Sequence, residues 1–155
     1  MNDPRVDAIG WTEYFQRVAR LTSLRSKDPS TQVGCVIVSP EKKIIGTGYN
    51  GMVSCKENDT LFPWGKGEGV NNKKHFVVHA EANAILNATG SLKNARIFCT
   101  RFPCAECAKL ICQSGIKIVY FEGTIDLDPN AEYCQLASTM MLDACNVKCK
   151  PLTIL

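Results

Sequence analysis

The sequence lacks the segments that would place a chain in a membrane or on a nucleic-acid polymer. No apolar run approaches a membrane span, and the N-terminus has no basic-then-apolar layout of a signal peptide. Internal repeats, a linker and an arginine-rich tract are also absent. The 155 residues are 45% hydrophobic and carry a net charge of +3, so we expect one globular domain over residues 1–155 and no membrane partner. The mild charge favours a small anionic ligand over a nucleic-acid polymer.

Disulfide bonds are not expected, although the chain has nine cysteines. The number is odd, the chain is not small, and several cysteines stand in apolar, strand-like runs. Cys35, Cys99 and Cys112 are therefore predicted to be buried thiols. This favours a reducing compartment, and we predict a cytoplasmic protein.

Two short stretches predict a zinc site. One of only two histidines, His79, is followed two residues later by Glu81, and Cys104 and Cys107 come directly after Pro103. Proline suits the first turn of a helix, where an i, i+3 spacing puts both sulfurs on one face and the helix end favours thiolate. His79, Cys104 and Cys107 would leave the fourth position of a tetrahedral zinc ion for water, the arrangement of catalytic sites.

Glu81 is predicted to carry protons for that water. Two residues correspond to roughly 200° around a helix, so Glu81 need not point at the metal as His79 does. The alternatives are a structural zinc site or a chance C-x-x-C among nine cysteines. A structural site would normally need a fourth protein ligand and would leave the H-x-E pair unexplained.

Hydrophobic periodicity predicts an α/β fold. Apolar runs predict strands at 33–38, 44–48, 95–100 and 116–121, and an edge strand within 147–155. Gly46 and Gly48 indicate close backbone approach or a bulge at the end of the second strand. A first helix would start at Trp11 and bury Trp11, Tyr14, Phe15, Val18 and Thr22, with Leu21 at the edge. Residues 76–86 would begin extended and become a helix that buries Ala82, Ile85 and Leu86 and ends at Gly90. Further helices are predicted over 104–114, ending at Gly115, and after Asp128, where Tyr133, Leu136 and the core-filling Met140 and Met141 would lie.

The order of these elements predicts a mixed sheet with helices on both faces. Strand, C-x-x-C helix and strand form a βαβ unit with parallel strands. The helices that carry the zinc ligands should bring their N-terminal ends together beside the strand ends. Residues 52–75 form a long loop, expected to be a lid, an interface or disordered, with Trp64 giving it some packing.

The motifs resemble those of a known enzyme family. H-x-E … P-C-x-x-C is the signature of zinc-dependent nucleobase deaminases. Residues 25–29 (RSKDP), 32–34 (QVG), 48–51 (GYNG) and 102–109 (FPCAECAK) resemble the deoxycytidylate (dCMP) deaminases of the cytidine deaminase superfamily, over about residues 11–121. The resemblance implies a three-layer α/β/α fold with a five-stranded mixed sheet and one catalytic Zn²⁺ per subunit. It also implies hydrolysis of dCMP to dUMP and ammonia, which supplies dUMP for dTMP synthesis. The implied assembly is a homohexamer that dCTP activates and dTTP inhibits, with Mg²⁺ accompanying these effectors.

The same resemblance implies substrate contacts near the zinc site. The backbone N–H of Ala80 would hold the ring carbonyl of the base, and that of Cys104 the new hydroxyl. Asn50 would bind the sugar hydroxyl, the alternative being a turn residue that tolerates unusual backbone angles. Phe102 would pack on the base or in the core.

Phosphate and effector contacts are expected from two other stretches. Arg25 and Lys27 are candidates for the substrate phosphate, because a dianion favours charge-assisted hydrogen bonds, although charged loop residues are often only solvated. The resemblance implies an effector role for Gly48, Tyr49 and Gly51.

The loop after this stretch departs from the family pattern. Family members commonly have proline and then Gly-Cys here, whereas this chain has Val53, Ser54 and Cys55. The departure predicts a differently shaped loop, with regulation by nucleotides altered or lost. Some relatives hold a second zinc, for which Cys55 and His75 are too few candidates.

Two other functions are compatible with these motifs. The first is deamination of another base, such as adenosine in tRNA or cytosine in single-stranded nucleic acid; the mild charge and the match at residues 25–34 speak against it. The second is a non-catalytic, zinc-stabilised scaffold or regulatory subunit, which would have no chemical need for Glu81.

Overall fold

The chain folds into seven strands and five α-helices within the part that the structure, a computed structural model, describes: residues 3–130 and 135–153. The first half contains α1 (Trp11–Ser23), β1 (Gly34–Val38), β2 (Ile44–Tyr49), β3 (Gly51–Met52), α2 (Asn58–Leu61) and two 3₁₀ turns (Gly69–Asn71 and Lys73–His75). The second half contains β4 (Val77–Val78), α3 (Ala80–Leu86), β5 (Arg96–Cys99), α4 (Ala105–Ser114), β6 (Ile118–Phe121), α5 (Leu136–Ala144) and β7 (Lys148–Pro151).

Five of the strands form the mixed sheet that the sequence predicts. Their order is β2-β1-β5-β6-β7, with β1 antiparallel to β2 and β5, and with parallel β5–β6 and β6–β7 pairs. Helix α4 connects β5 to β6, so the predicted βαβ unit is confirmed. The edge strand near the C-terminus is confirmed as β7.

The sheet lies between two helical layers. Strand β1 is buried throughout, and its side chains alternate between the layers, as the two-residue period of a strand requires. Val36 and Val38 pack with Phe15 and Ala19 of α1, whereas Cys35 and Ile37 face α3 and α4. The arrangement is the expected three-layer α/β/α fold.

The buried face of α1 differs from the prediction. Trp11 and Tyr14 are 54% and 41% exposed, and Leu21 is also exposed, whereas Phe15, Gln16 and Ala19 are buried. The three aromatic rings pack on one another at the start of the helix, with the Phe15 centroid 5.6 Å from that of Trp11, and only Phe15 reaches the sheet. A polar residue is buried instead because Gln16 Nε2 donates to the backbone oxygen of Cys99 (3.0 Å) and to Glu122 (2.7 Å).

Helix α3 also buries a different face from the one predicted. Its buried residues are Ala80, Glu81 and Ala84, whereas Leu86 is 77% exposed and Ala82 and Ile85 are half-buried. Small side chains face the sheet because α3 lies directly on β2. A Cβ atom added at Gly48 would stand 2.2 Å from the Ala84 nitrogen, which confirms the predicted close approach.

The structure confirms one of two predicted helix ends and one of two predicted core methionines. Helix α3 ends at Leu86, before Gly90, so Gly90 is not its terminator; Gly115 does end α4, with φ +85°. In α5, Met141 packs against the core, but Met140 is 64% exposed, so the predicted pair of core-filling methionines is half wrong. Tyr133 lies outside the described residues.

The long segment 52–75 is folded around a few contacts. Trp64 Nε1 donates to the backbone oxygen of Asp59 (3.0 Å), and the Phe62 and Phe76 rings stack with centroids 4.7 Å apart. Strand β3 pairs with β4 in a separate two-stranded sheet. Among the described residues, none of the helices is long and apolar enough to cross a membrane.

Candidate metal centre and active site

Three predicted zinc ligands meet where α3 and α4 begin. Strand β4 leads directly to His79, the N-cap of α3, and the chain leaving β5 leads to Cys104, the N-cap of α4. Both residues have extended backbone angles, so they flank their helices and are not inside them as the sequence suggested. Cys107 lies one turn into α4 and is buried. The predicted meeting of the two N-terminal ends is therefore confirmed.

The donor atoms of the three residues converge on one point. His79 Nδ1 lies 3.3 Å from Cys104 Sγ and 3.5 Å from Cys107 Sγ, and all three donor atoms lie within 4.8 Å of one another. One imidazole nitrogen and two sulfurs match the ligand types and the number that a catalytic zinc ion takes from a protein. The residues present fit a zinc ion.

The electrostatics of the two thiols also suit a metal. A hydrogen bond from Cys107 lowers the pKa of Cys104 to about 4; burial opposes this shift, and a hydrogen bond from His79 adds to it. The pKa of Cys107 is raised because it donates to Cys104 and is buried beside Glu81. Cys104 is therefore the more acidic of the two thiols. A cation at this point would replace the thiol protons.

Glu81 stands beside the ligands without belonging to them. Its side chain is buried, and Glu81 Oε2 lies 3.4 Å from Cys107 Sγ. Burial raises the pKa of Glu81 above its ordinary value, which the backbone N–H and His79 partly offset. A carboxyl with a raised pKa exchanges protons near neutral pH more readily than an exposed one.

Two cysteines that sequence reasoning did not connect with the site lie behind Glu81. Cys35 and Cys99 are opposite each other on β1 and β5, and their sulfurs lie within 4.8 Å of a Glu81 oxygen. Both are fully buried, as predicted, and burial raises the pKa of each. They are neutral thiols that help to exclude water from the carboxyl group. Their alternating positions in two apolar runs were the available signal.

Asn50 is buried and forms hydrogen bonds with the segment that precedes β1. Its Oδ1 accepts from the Val33 N–H (2.8 Å), and its Nδ2 donates to the Thr31 oxygen (2.9 Å) and lies 3.5 Å from Asp28 Oδ2. These contacts give the Asn50 side chain a structural role, but Asn50 is not among the described residues with positive φ, so the alternative of unusual backbone angles is not supported. A sugar contact stays a prediction.

Ala80 and Phe102 lie close to the ligands. Ala80 is the first residue of α3, so its N–H is among those that the helix itself leaves without a partner. Phe102 is buried against Phe121, with centroids 4.9 Å apart, and also lines a cleft of about 500 Å³. Both predicted views of Phe102, as a core residue and as a base-packing residue, are compatible with this position.

The same cleft is lined by a cationic side chain that sequence reasoning missed. Arg101 lines this cleft and is exposed. The hydrogen bond to Cys104 raises the pKa of His79, and the charge of Arg101 opposes this shift weakly. The position of Arg101 two residues before Pro103 was the only signal.

The predicted phosphate and effector residues share one cavity. A pocket of about 240 Å³ is lined by Arg25, Lys27, Gly48, Tyr49 and Gly51. The Arg25 guanidinium lies 5.8 Å from the centre of the Tyr49 ring, and Lys27 forms an ion pair with Asp59 of α2. The two predicted groups are thus neighbours in the structure.

The comparisons with known proteins agree with this site. Residues 9–122 match the family model described as the cytidine and deoxycytidylate deaminase zinc-binding region. The chain belongs to this deaminase family. The matched residues include the three candidate ligands and Glu81. The family model therefore supports zinc as the metal that these residues bind.

Most of the chain aligns with individual members of the deaminase family. It is 43% identical over 156 residues to a probable deoxycytidylate deaminase of Drosophila melanogaster, covering 94% of this chain and 74% of that one. It is 49% identical over 121 residues to the deoxycytidylate deaminase of Mus musculus, covering 76% and 67%. The solved dCMP deaminase of cyanophage S-TIM5, in complex with dCMP and dUMP, has a TM-score of 0.69 and 25% identity, covering 91% and 96%.

Proposed function

We propose that this protein is a zinc-dependent dCMP deaminase, which hydrolyses dCMP to dUMP and ammonia and so supplies dUMP for dTMP synthesis. The observation that carries the proposal is the convergence of His79, Cys104 and Cys107 beside the buried carboxyl group of Glu81. The substrate follows from the relatives, whose names specify deoxycytidylate.

The three ligands would hold one zinc ion per subunit. When bound, zinc supplies a polarised water that is nucleophilic at neutral pH. His79 would bind through Nδ1, the ring nitrogen that faces both sulfurs. The two cysteines would bind as thiolates.

Glu81 would move the protons of the reaction. It would accept a proton from the attacking water, deliver it to N3 of the cytosine ring, and later help the 4-amino group to leave as ammonia. Its burial next to Cys107 keeps the carboxyl group close to the metal ligands and away from solvent.

Substrate contacts would come from the surrounding loops and helix ends. The backbone N–H groups of Ala80 and Cys104 would hold the ring carbonyl and the new hydroxyl, and Phe102 would pack on the base. Asn50 would bind the sugar hydroxyl. The N-terminal position of Ala80 in α3 supports its part of this proposal.

Arg25 and Lys27 would bind phosphate oxygens in the 240 Å³ cavity. Because Gly48, Tyr49 and Gly51 line the same cavity, the phosphate could belong to dCMP or to dCTP and dTTP, with Mg²⁺ accompanying the triphosphates. Substitution of Arg25 by Ala separates the two cases. A raised KM for dCMP without effector indicates the substrate phosphate, and a lost response to dCTP at unchanged basal KM indicates the effector.

We further propose a cytoplasmic homohexamer. Sedimentation velocity of the zinc-loaded protein tests the assembly, since a subunit of 17.1 kDa gives well-separated monomer, dimer and hexamer boundaries.

The substrate assay compares ammonia release from dCMP, cytidine, dCTP and an adenosine-containing RNA hairpin, each with and without dCTP as effector. Turnover of dCMP supports the proposal, and stimulation by dCTP supports regulation despite Val53. Activity on the RNA alone would overturn the substrate and leave only the zinc chemistry.

A further inference from the structure

A largely buried ion pair connects the long segment 52–75 to the turn that follows α1. Lys73 Nζ donates to both carboxylate oxygens of Asp28, at 2.6 and 2.8 Å. The side chains are only 13% and 4% exposed. Such a pair is costly to desolvate, and removing one partner leaves the other charge buried without compensation.

The carboxylate of Asp28 is the point where Lys73 and Asn50 meet. Asp28 Oδ1 also accepts from the Ser30 N–H at 2.8 Å, and Asp28 Oδ2 lies 3.5 Å from Asn50 Nδ2. Asn50 in turn binds the backbone of Thr31 and Val33. The orientation of the Asn50 amide therefore depends on the turn that Lys73 holds.

Lys73 is connected to Asn50 by a second route, through the backbone. It begins the 3₁₀ turn that leads into β4, and β4 pairs with β3, which begins directly after Asn50. The Val53 N–H extends this pairing by donating to the Phe76 oxygen at 3.1 Å. Lys73 is thus connected to Asn50 in two ways, through Asp28 and through the β3–β4 pair. His79 is the next residue after β4.

We propose that Lys73 is a positioning residue for the nucleotide site, acting through Asp28 to hold Asn50 and the β3–β4 pair in place. The inference rests on the proposed function, because it assigns Asn50 to substrate binding. His79 is also held by α3, where the Asn83 N–H donates to its oxygen at 3.0 Å. Loss of Lys73 should therefore affect nucleotide binding more than zinc binding.

The test compares three variants of the zinc-loaded protein. Lys73→Met removes the cation, and Lys74→Met is the matched control, since Lys74 is exposed and the described residues include no ion-pair partner for its side chain. The double variant Lys73→Met with Asp28→Asn removes both charges, so no carboxylate is left buried without a cation beside it.

We expect Lys73→Met to raise the KM for dCMP about tenfold, with kcat within about twofold and zinc content unchanged. The double variant should recover thermal stability without recovering KM, which separates positioning from folding. Backbone amide exchange of Val33 and Val53 should accelerate in Lys73→Met and stay unchanged in Lys74→Met.

An unchanged KM in Lys73→Met, or a KM that recovers together with stability in the double variant, would overturn the proposal. A wild-type protein that does not deaminate dCMP would contradict the proposed function instead. In that case amide exchange alone would test the positioning role of Lys73, and unaltered exchange at Val33 and Val53 would exclude it.

Discussion

Substitution of Gly48 by alanine tests whether this glycine serves the packing of α3 on β2. The added Cβ would stand 2.2 Å from the Ala84 nitrogen and 2.3 Å from the Ala80 oxygen, where ordinary contacts begin at 3.4 Å. Both are backbone atoms, so no side chain can rotate away, and strand and helix must separate by about 1 Å. Overpacking of this kind costs about 3 kcal/mol, at the upper end of its usual range.

The expected loss is measurable in two ways. For a chain of this size, about 3 kcal/mol corresponds to a fall in Tm of about 6–12 °C. Zinc affinity should also fall, by about tenfold in a chelator competition, because α3 begins next to His79 and carries Glu81.

Gly51→Ala is the matched control for this experiment. Among the described residues, a Cβ at Gly51 would have one neighbour within 4 Å, Cε2 of Tyr49 at 3.9 Å. The free energy of unfolding of Gly51→Ala should therefore differ from that of the wild type by less than about 0.5 kcal/mol. Both glycines line the same cavity, and a ligand-contact role alone would therefore affect them alike. A Gly48→Ala protein as stable as Gly51→Ala would refute the packing argument.

Three further predictions follow from burial and charge. Burial acts to raise the pKa of Asp28, but hydrogen bonds from Lys73 and the backbone lower it overall. Folding therefore favours the carboxylate form, and the contribution of Asp28 to the free energy of unfolding is lost as pH falls below about 4, the ordinary pKa of aspartate. In urea titrations, the stability gap between wild type and Asp28→Asn should narrow from pH 7 to pH 3, and a constant gap would contradict this. Phe98→Ala should lower the free energy of unfolding by about 3–5 kcal/mol, because Phe98 is fully buried and its ring centroid lies 4.4 Å from that of Tyr120. A decrease below about 1 kcal/mol in urea unfolding would refute its place in the core. Removal of zinc should expose Cys104 to alkylation at pH 6, since its pKa is about 4, and mass spectrometry should show protection when zinc is restored.

The sequence predicted the parts of the molecule that local spacing specifies. His79, Cys104 and Cys107 each stand at the start of a helix, so two short motifs were enough to place three ligands together. The sheet followed for the same reason, since buried strands and the βαβ unit are visible in apolar runs and glycines.

Contacts between distant residues were not predictable in this way. Lys73 meets Asp28 across 45 positions, and neither residue belongs to a periodic pattern. Nor could periodicity show that Gln16 would be buried on α1 while Trp11 stays exposed, because that choice depends on hydrogen bonds to Cys99 and Glu122. Tertiary partners decide such positions.

The most direct test of the proposed chemistry is dCMP turnover by zinc-loaded Glu81→Gln. Glu106→Gln is its control, since Glu106 lies on α4 between the two cysteine ligands and is exposed, paired only with Lys109 among the described salt bridges. The account predicts that Glu81→Gln keeps one zinc per subunit and loses about 10²- to 10⁴-fold in kcat, while Glu106→Gln keeps wild-type activity. Full activity in zinc-loaded Glu81→Gln would contradict it.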